Sequence, residues 1–284
     1  MTKLIHKTTK NLLRKLPIFL PAKKLHYLAR RFIFKIYNAL FPTATILLYH
    51  RISDSKNDPH RLCVSPENFR EQIKFLKENF RVIPLVQLVR EVRSKKLKSK
   101  TVVITFDDGY SDNLHNALPV LQELDIPATI FFTAGYVGSN KLFYWDLYAQ
   151  TGENTPPEDQ GRPLTLDEAK TLSTARIIEI GGHTINHPKL AKIPPNEQFV
   201  EIFKGKIIVE EMLDIPLLSF AYPFGGRDSF DKNTIELVKK AGFQYACSNT
   251  HKRVTNNSNI YALPRYVVRN WNLEEFKKEF TKFI

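Results

Sequence analysis

The chain has 284 residues, 43% of them hydrophobic, enough to bury roughly 75% of its unfolded surface as one folded unit, which excludes a largely disordered protein. Its net charge of +13 is lopsided: residues 1–42 hold ten Lys or Arg and no acidic residue, leaving 32 basic against 29 acidic side chains in the rest. That distribution argues against a nucleic-acid partner, and two isolated cysteines, Cys63 and Cys247, argue against a disulfide framework.

Residues 1–42 read as a segment of their own. From Ala22 to Phe41 the residues Leu25, Leu28, Ala29, Phe32, Ile33, Ile36, Tyr37 and Leu40 recur at three-to-four spacing, the period of an amphipathic helix, with Lys23, Lys24, Arg30, Arg31 and Lys35 interleaved. A basic amphipathic helix suits an anionic membrane surface, where each cation contributes about 1 kcal/mol. The same stripe also fits a helix packed on the following domain with its charges solvated, or a transit peptide. No run of about 18 apolar residues and no apolar block of roughly 7–15 residues with a small-residue cleavage site is present, so the expectation is a cytoplasmic chain, peripheral on a membrane if residues 1–42 bind one.

From residue 43 onward, short β-branched and aromatic runs alternate with helical stretches, the sign of βα units around a parallel sheet. In chain order the spacing predicts a strand over Ala44 to His50, a helix over Pro66 to Asn79, a strand over Thr101 to Asp107 and a helix over Asn113 to Leu124. A strand over Ala128 to Thr133 follows, then a polar loop from Gly152 to Arg162, a helix over Leu166 to Thr174 and a strand over Ile177 to Gly181. The remainder reads as helix Gln198 to Leu213, strand Leu218 to Tyr222, helix Ser229 to Ala241 and strands Tyr245 to Ser248 and Ala262 to Val268. About seven parallel strands in residues 43–284 fit an α/β protein with a distorted (β/α) barrel, whose chemistry sits at the strand C-terminal ends.

Three strand ends carry polar clusters. Val102 to Phe106 runs into Asp107-Asp108-Gly109; adjacent carboxylates raise one another's proton affinity unless a cation offsets them, although Asp-Asp-Gly is also ordinary turn chemistry. The second cluster is His183-Thr184-Ile185-Asn186-His187-Pro188, in which the i, i+4 spacing places both imidazoles on one face of a helical turn. With Asp108 it makes a two-His, one-carboxylate set with coordination positions left for water and substrate. The third, Phe220-Ala221-Tyr222-Pro223-Phe224-Gly225-Gly226, is a loop able to offer a backbone N–H to an oxyanion and an aromatic face to a sugar, or simply a loop.

Thr105-Phe106-Asp107-Asp108-Gly109, His183-Thr184-x-x-His187 and Tyr222-Pro223-Phe224-Gly225, in that order and at those intervals, resemble the first three motifs of the polysaccharide deacetylases with a NodB-like domain, the carbohydrate esterase family 4 type. The resemblance spans roughly residues 43–284 and implies a distorted (β/α) barrel that hydrolyses acetamides. It implies that Asp108, His183 and His187 hold a divalent metal, Zn2+ first with Co2+, Ni2+ or Fe2+ as alternatives, and that Asp107 is the general base. It further implies an oxyanion and substrate loop at Tyr222, Pro223 and Phe224, with the Phe224 N–H on the oxyanion, and Thr184 at most orienting a ligand.

The chain departs from the family pattern twice. Ala221 stands where the third motif has an Arg that orients the base, and Arg265, in Leu263-Pro264-Arg265, is the candidate substitute. The late Leu-x-His segment that supplies the general acid is missing, and Tyr49-His50 resembles the Tyr-His segment of the poly-N-acetylglucosamine deacetylase subgroup, making His50, with an ordinary pKa near 6.5, the expected acid. A buried core histidine is the competing account of His50. The expected partner is an N-acetylated envelope glycan or lipid-linked precursor, with Phe143, Tyr144 and Trp145 as either sugar-facing aromatics or core. Hydrolysis of a non-sugar amide and a glycan-binding module without activity remain as alternatives.

Overall fold

A computed structural model describes residues 42–55, 58–147 and 161–284; the N-terminal amphipathic stripe and most of the Gly152 to Arg162 loop lie outside the described residues. Six parallel strands lie side by side in the order β1 (Thr43–Tyr49), β5 (Thr101–Phe106), β6 (Ala128–Phe132), β7 (Ile178–Gly182), β8 (Ser219–Ala221) and β9 (Tyr245–Cys247). The seam between β9 and β1 is bridged by a seventh parallel segment. Leu263 pairs with Cys247, and β11 (Tyr266–Val267) pairs with Leu47 and Leu48. β10 (Val254–Thr255) adds antiparallel to the start of β1, and β4 (Arg81–Val82) adds parallel to β5. The short strands β2 (Arg51–Ile52) and β3 (Cys63–Val64) pair only with each other, beyond the end of β1. The result is the distorted (β/α) barrel expected from the sequence.

Two-residue alternation divides each strand between two apolar layers. Ile46, Val103, Phe131, Ala221, Cys247 and Leu263 form one cluster with Leu85, Leu88, Val89 and Val92 of helix α2 (Leu85–Arg93), which makes them the inward rows. Leu47, Tyr49, Val102, Ile104, Phe106, Ile130, Phe132, Ile180 and Phe220 join the larger cluster with the surrounding helices. These helices are α1 (Pro66–Asn79), α3 (Leu118–Glu123), α5 (Leu166–Ser173), α6 (Pro195–Leu213), α7 (Lys232–Lys240) and α8 (Leu273–Phe280), with the four-residue α4 (Tyr144–Leu147) between α3 and α5. Capping boxes start α5 at Thr165, α7 at Asp231 and α8 at Asn272, each satisfying otherwise unpaired N–H groups.

Three expectations need correction. The predicted helix from Asn113 opens with a π-helical turn, Asn113–Ala117, before α3 begins. The last predicted strand is two pieces, because Pro264 has no N–H to give to the ladder. Helices α2 and α8 escaped the periodicity reading: α2 follows the extended Pro84, and α8 is only eight residues long.

Candidate active site

The inward rows, continued past the strand ends, assemble the site. On β5, Val103 and Thr105 are followed by Asp107; on β1, Ile46 and Leu48 are followed by His50; on β7, Gly181 is followed by His183. The register pairs Leu48 with Thr105, so His50 emerges beside Asp107. Arg265 continues the row of Leu263, across the seam.

Asp107 and Arg265 are completely paired. The guanidinium Nη1 and Nη2 donate to the two Asp107 oxygens at 2.7 and 2.8 Å, while Nε donates to the Ser248 carbonyl at 3.2 Å and Nη2 to Asn249 Oδ1 at 2.8 Å. Both side chains are buried, Arg265 with 0% exposure. Burial alone would raise the Asp107 pKa, but the Arg265 charge and hydrogen bonds, with His183 and His50, outweigh it and hold the carboxyl at about 2. Arg265 therefore reaches Asp107 from the segment that bridges the seam, whereas Ala221 lies at the end of β8 with its side chain buried in the inward cluster.

The neighbouring group is the reverse case. Asp108 Oδ1 lies 3.6 Å from His183 Nε2 and 3.6 Å from His187 Nε2, and one donor atom of each residue falls within 4.8 Å of the others. Asp108 Oδ1 is buried with no hydrogen-bond partner, as is His187 Nδ1. Burial and the Asp107 charge push the Asp108 carboxyl well above the usual carboxylate range; burial pushes both imidazoles below theirs. His183 Nδ1 donates to the Ala221 carbonyl at 2.8 Å, which fixes the tautomer and turns the bare Nε2 toward Asp108. Two atoms each about 2.0–2.2 Å from one ion sit about 3–3.6 Å apart, so the 3.6 Å spacings fit a divalent cation held by Asp108, His183 and His187.

The two histidines do not meet on a helical turn, as their spacing predicted. The segment is a loop with Thr184 at φ 66 and His187 at φ 60, and it is braced from outside. Glu201 of α6 accepts from the amides of Ile185 and Asn186 at 3.0 and 2.9 Å, and Thr184 Oγ1 accepts from the His187 amide at 3.0 Å. Gly205 lets α6 come this close: a Cβ there would stand 2.9 Å from the Thr184 carbonyl carbon. These contacts offset the left-handed backbone, which costs roughly 1–2 kcal/mol per residue.

The third cluster divides between core and cleft. Tyr222 continues the outward row of Phe220: it is buried, its hydroxyl donates to the Tyr261 carbonyl at 2.9 Å, and its ring stacks on Phe230 at 3.9 Å. The expectation of a substrate-facing Tyr222 is corrected accordingly, by the same alternation that sends Asp107 inward. Phe224, after Pro223, is 45% exposed with φ 60, its ring 4.8 Å from His187. Among the described residues none accepts a hydrogen bond from the Phe224 N–H, whereas its carbonyl accepts from Asn249 Nδ2 at 2.9 Å. Phe143 is core, Tyr144 is 40% exposed, and the Trp145 ring lies 4.4 Å from His187, with Nε1 donating to the Tyr110 hydroxyl at 2.8 Å.

His50 also departs from its expectation. Burial lowers its pKa from 6.5 to about 4, opposed by Asp107 and reinforced by Arg265, His183 and Arg269, so the resting imidazole is neutral. Its backbone is held by residues that sequence reading passed over. Asn113 Nδ2 donates to the His50 carbonyl at 2.8 Å, and buried Asp112 accepts from Arg51 Nε at 3.1 Å and the Ile52 amide at 3.0 Å. Both lie a few residues beyond Asp107-Asp108, at the start of the predicted Asn113 to Leu124 helix, whose period carries no sign of a contact with the end of β1.

The polysaccharide deacetylase family model matches residues 94–246, which include both Asp and both His of this cluster. The chain belongs to the polysaccharide deacetylase family. Its chemistry is thus hydrolysis at a carbon–nitrogen bond. Among related proteins, YxkH of Bacillus subtilis (strain 168), named as a polysaccharide deacetylase, is 28% identical over 222 residues, 78% of this chain and 69% of that protein. A poly-beta-1,6-N-acetyl-D-glucosamine N-deacetylase of Staphylococcus aureus (strain MSSA476) is 25% identical over 262 residues, covering 85% of this chain and 84% of that one. The same fold is found in the Streptococcus pyogenes deacetylase PplD (TM-score 0.66, 22% identity, 83% of this chain and 97% of that one). It is also found in IcaB from Ammonifex degensii (TM-score 0.65, 20% identity, 85% and 97%). Among the described residues of this deacetylase, no helix is long and apolar enough to cross a membrane.

Proposed function

We propose that the chain removes N-acetyl groups from an amino-sugar glycan of the poly-N-acetylglucosamine kind, with a divalent cation at Asp108, His183 and His187. The observation that carries the reading is a buried carboxylate saturated by Arg265 immediately beside a second buried carboxylate, whose unpartnered Oδ1 lies 3.6 Å from the Nε2 atoms of two buried imidazoles. The staphylococcal relative named for this substrate, with similar coverage of both chains, supports the choice of glycan. A bound cation would polarise the acetamide carbonyl and lower the pKa of water, with Zn2+ the first choice among ions that such ligands accept.

The chain's own residues supply the rest. Asp107, ionised throughout the working range and fixed in rotation by Arg265, orients the attacking water and accepts its proton as the C–O bond forms. A carboxyl near 2 is a weak base, so this transfer accompanies attack rather than preceding it. The free N–H of Phe224 donates to the oxyanion. His50, neutral at rest, takes up a proton from solvent as negative charge builds on the oxyanion and delivers it to the departing nitrogen, while Asp107 returns the proton taken from the attacking water to solvent. The exposed rings of Phe224 and Tyr144 offer faces to a pyranose. Residues 1–42, through their excess of cations, would keep the enzyme at an anionic membrane surface.

Acetate release from N-acetylglucosamine oligomers with added Zn2+ or Co2+ tests the reading, using wild type and Asp107→Asn. Release by wild type and its loss in the variant are expected. Bound metal with no acetate from any glycan would point instead to a glycan-binding module.

A further inference from the structure

β9 has β8 on one side and the seam segment on the other: Cys247 is in register with both Ala221 and Leu263. The chain leaving β8 carries Phe224 and the seam segment carries Arg265, so the residues just past β9 stand between the two. Ser248 and Asn249 occupy that place. The Ser248 carbonyl accepts from Arg265 Nε at 3.2 Å, and Asn249 Oδ1 accepts from Nη2 at 2.8 Å. The other half of the same amide serves a different loop. Asn249 Nδ2 donates to the Phe224 carbonyl at 2.9 Å, and the Asn249 backbone amide donates to the Gly225 carbonyl at 2.8 Å. With a guanidinium N–H on one side and a carbonyl on the other, only this orientation of the side-chain amide sets donor against acceptor at both ends.

The segment that Asn249 grips is a turn the backbone does not favour by itself. Phe224 at φ 60 and Gly225 at φ 60 are consecutive left-handed residues, and the Gly225 N–H donates back to the Pro223 carbonyl at 2.7 Å across three residues. Such a turn about a non-glycine residue of positive φ is rare and strained, and it persists only where its surroundings hold it. Gly225 admits the hold, since a Cβ there would lie 2.6 Å from the Asn249 backbone nitrogen. In this conformation the Phe224 N–H has no acceptor among the described residues, and the Phe224 ring lies 4.8 Å from that of His187.

Resting on the deacetylase reading, we propose that Asn249 is the positioning residue for the oxyanion donor. It anchors on the arginine that orients Asp107 and, through the Phe224 carbonyl, keeps the Phe224 N–H turned to the oxyanion. General base and oxyanion donor come from different strand ends, and one side-chain amide ties them into a single frame. Its contribution falls on the transition state, because the N–H meets a full negative charge only there.

The test measures acetate release from N-acetylglucosamine oligomers by the full metal-loaded chain. Asn249→Ala is expected to lower kcat by about tenfold to a hundredfold, with KM and bound metal nearly unchanged. Asn249→Asp keeps an acceptor for Arg265 but has no N–H for the Phe224 carbonyl, so it is expected to be impaired at least as much. Being nearly isosteric, it remains informative if Asn249→Ala misfolds. Wild-type kcat in Asn249→Ala would overturn the proposal, and so would recovery in Asn249→Asp, which would mean that the side chain acts on Arg265 alone. Crystal structures of the two variants give a readout apart from turnover. Phe224 is expected to leave the left-handed region in both, and a turn that keeps its φ and its Gly225 to Pro223 hydrogen bond without the amide refutes the positioning role. Absence of acetate release by wild type from every glycan would sink the deacetylase reading, whereas the crystal comparison still decides whether Asn249 holds the turn.

Discussion

The two carboxylates of this site are adjacent in sequence and opposite in condition. Asp107 is saturated by Arg265, with Thr105, Ser248 and Asn249 completing the guanidinium shell, and its pKa sits at about 2. Asp108 has an oxygen with no partner and a strongly raised pKa, and the imidazoles facing it are depressed. One half is electrostatically complete within the protein; the other has the donor atoms that a cation from solution would complete. Two consecutive buried carboxylates both stay ionised only if each has its own cation; Arg265 serves Asp107, and a divalent ion would serve Asp108, which otherwise keeps its proton.

The strongest way to break the contrast is to remove a ligand from the incomplete half. His183→Ala is expected to lose bound metal and to lower acetate release by roughly a thousandfold or more, with little loss of fold, because no paired protein charge is left behind. Metal analysis with single-turnover assays checks this. At the edge between the halves, His50→Ala is expected to keep the metal and lower kcat by about 10²–10⁴, with KM nearly unchanged. Unchanged turnover would remove His50 from the reaction.

Breaking the complete half has a different signature. Arg265→Met strands Asp107 as an unpaired buried charge and is expected to cost about 3–5 kcal/mol in denaturant unfolding. Arg265→Lys is expected to recover only part, since an ammonium cannot bond both oxygens in the same plane. The pair also predicts a pH dependence. The folded Asp107 pKa of about 2 lies below its ordinary value of 3.8, so its stabilisation is present above the unfolded value and is lost as pH falls from about 4 through about 2. That portion of the acid transition is expected to vanish in Arg265→Met. The smallest effect sharpens the other half: cation at a hundred times its dissociation constant is expected to stabilise the protein by about 2.7 kcal/mol, and no such gain is expected in His183→Ala.

The strand and helix pattern could be read from the chain because burial follows simple periods here: α1 falls on its predicted span, and each of the first five long strands lies within a residue of expectation. The clustering of Asp107, Asp108, His183 and His187 was foreshadowed by motif spacing, since each follows an apolar run and strand ends share one face of such a barrel. Other features were not visible in one dimension. Period-two alternation, applied from Phe220, already sends Tyr222 outward, but which face of β8 is inward depends on its neighbours. The left-handed residues of the His183–His187 loop depend on Glu201 and on the close approach that Gly205 permits, both on a helix that begins several residues later.

By itself, then, the sequence determined the alternation of strands and helices and the identity of the ionisable groups, because local periodicity and residue chemistry are properties of short segments. Only the tertiary structure decided that Arg265, far along the chain, neutralises Asp107, and that His50 is drawn into the site with its pKa lowered by burial. Those outcomes depend on distances between strands and on exclusion of water, which exist only once the barrel has closed.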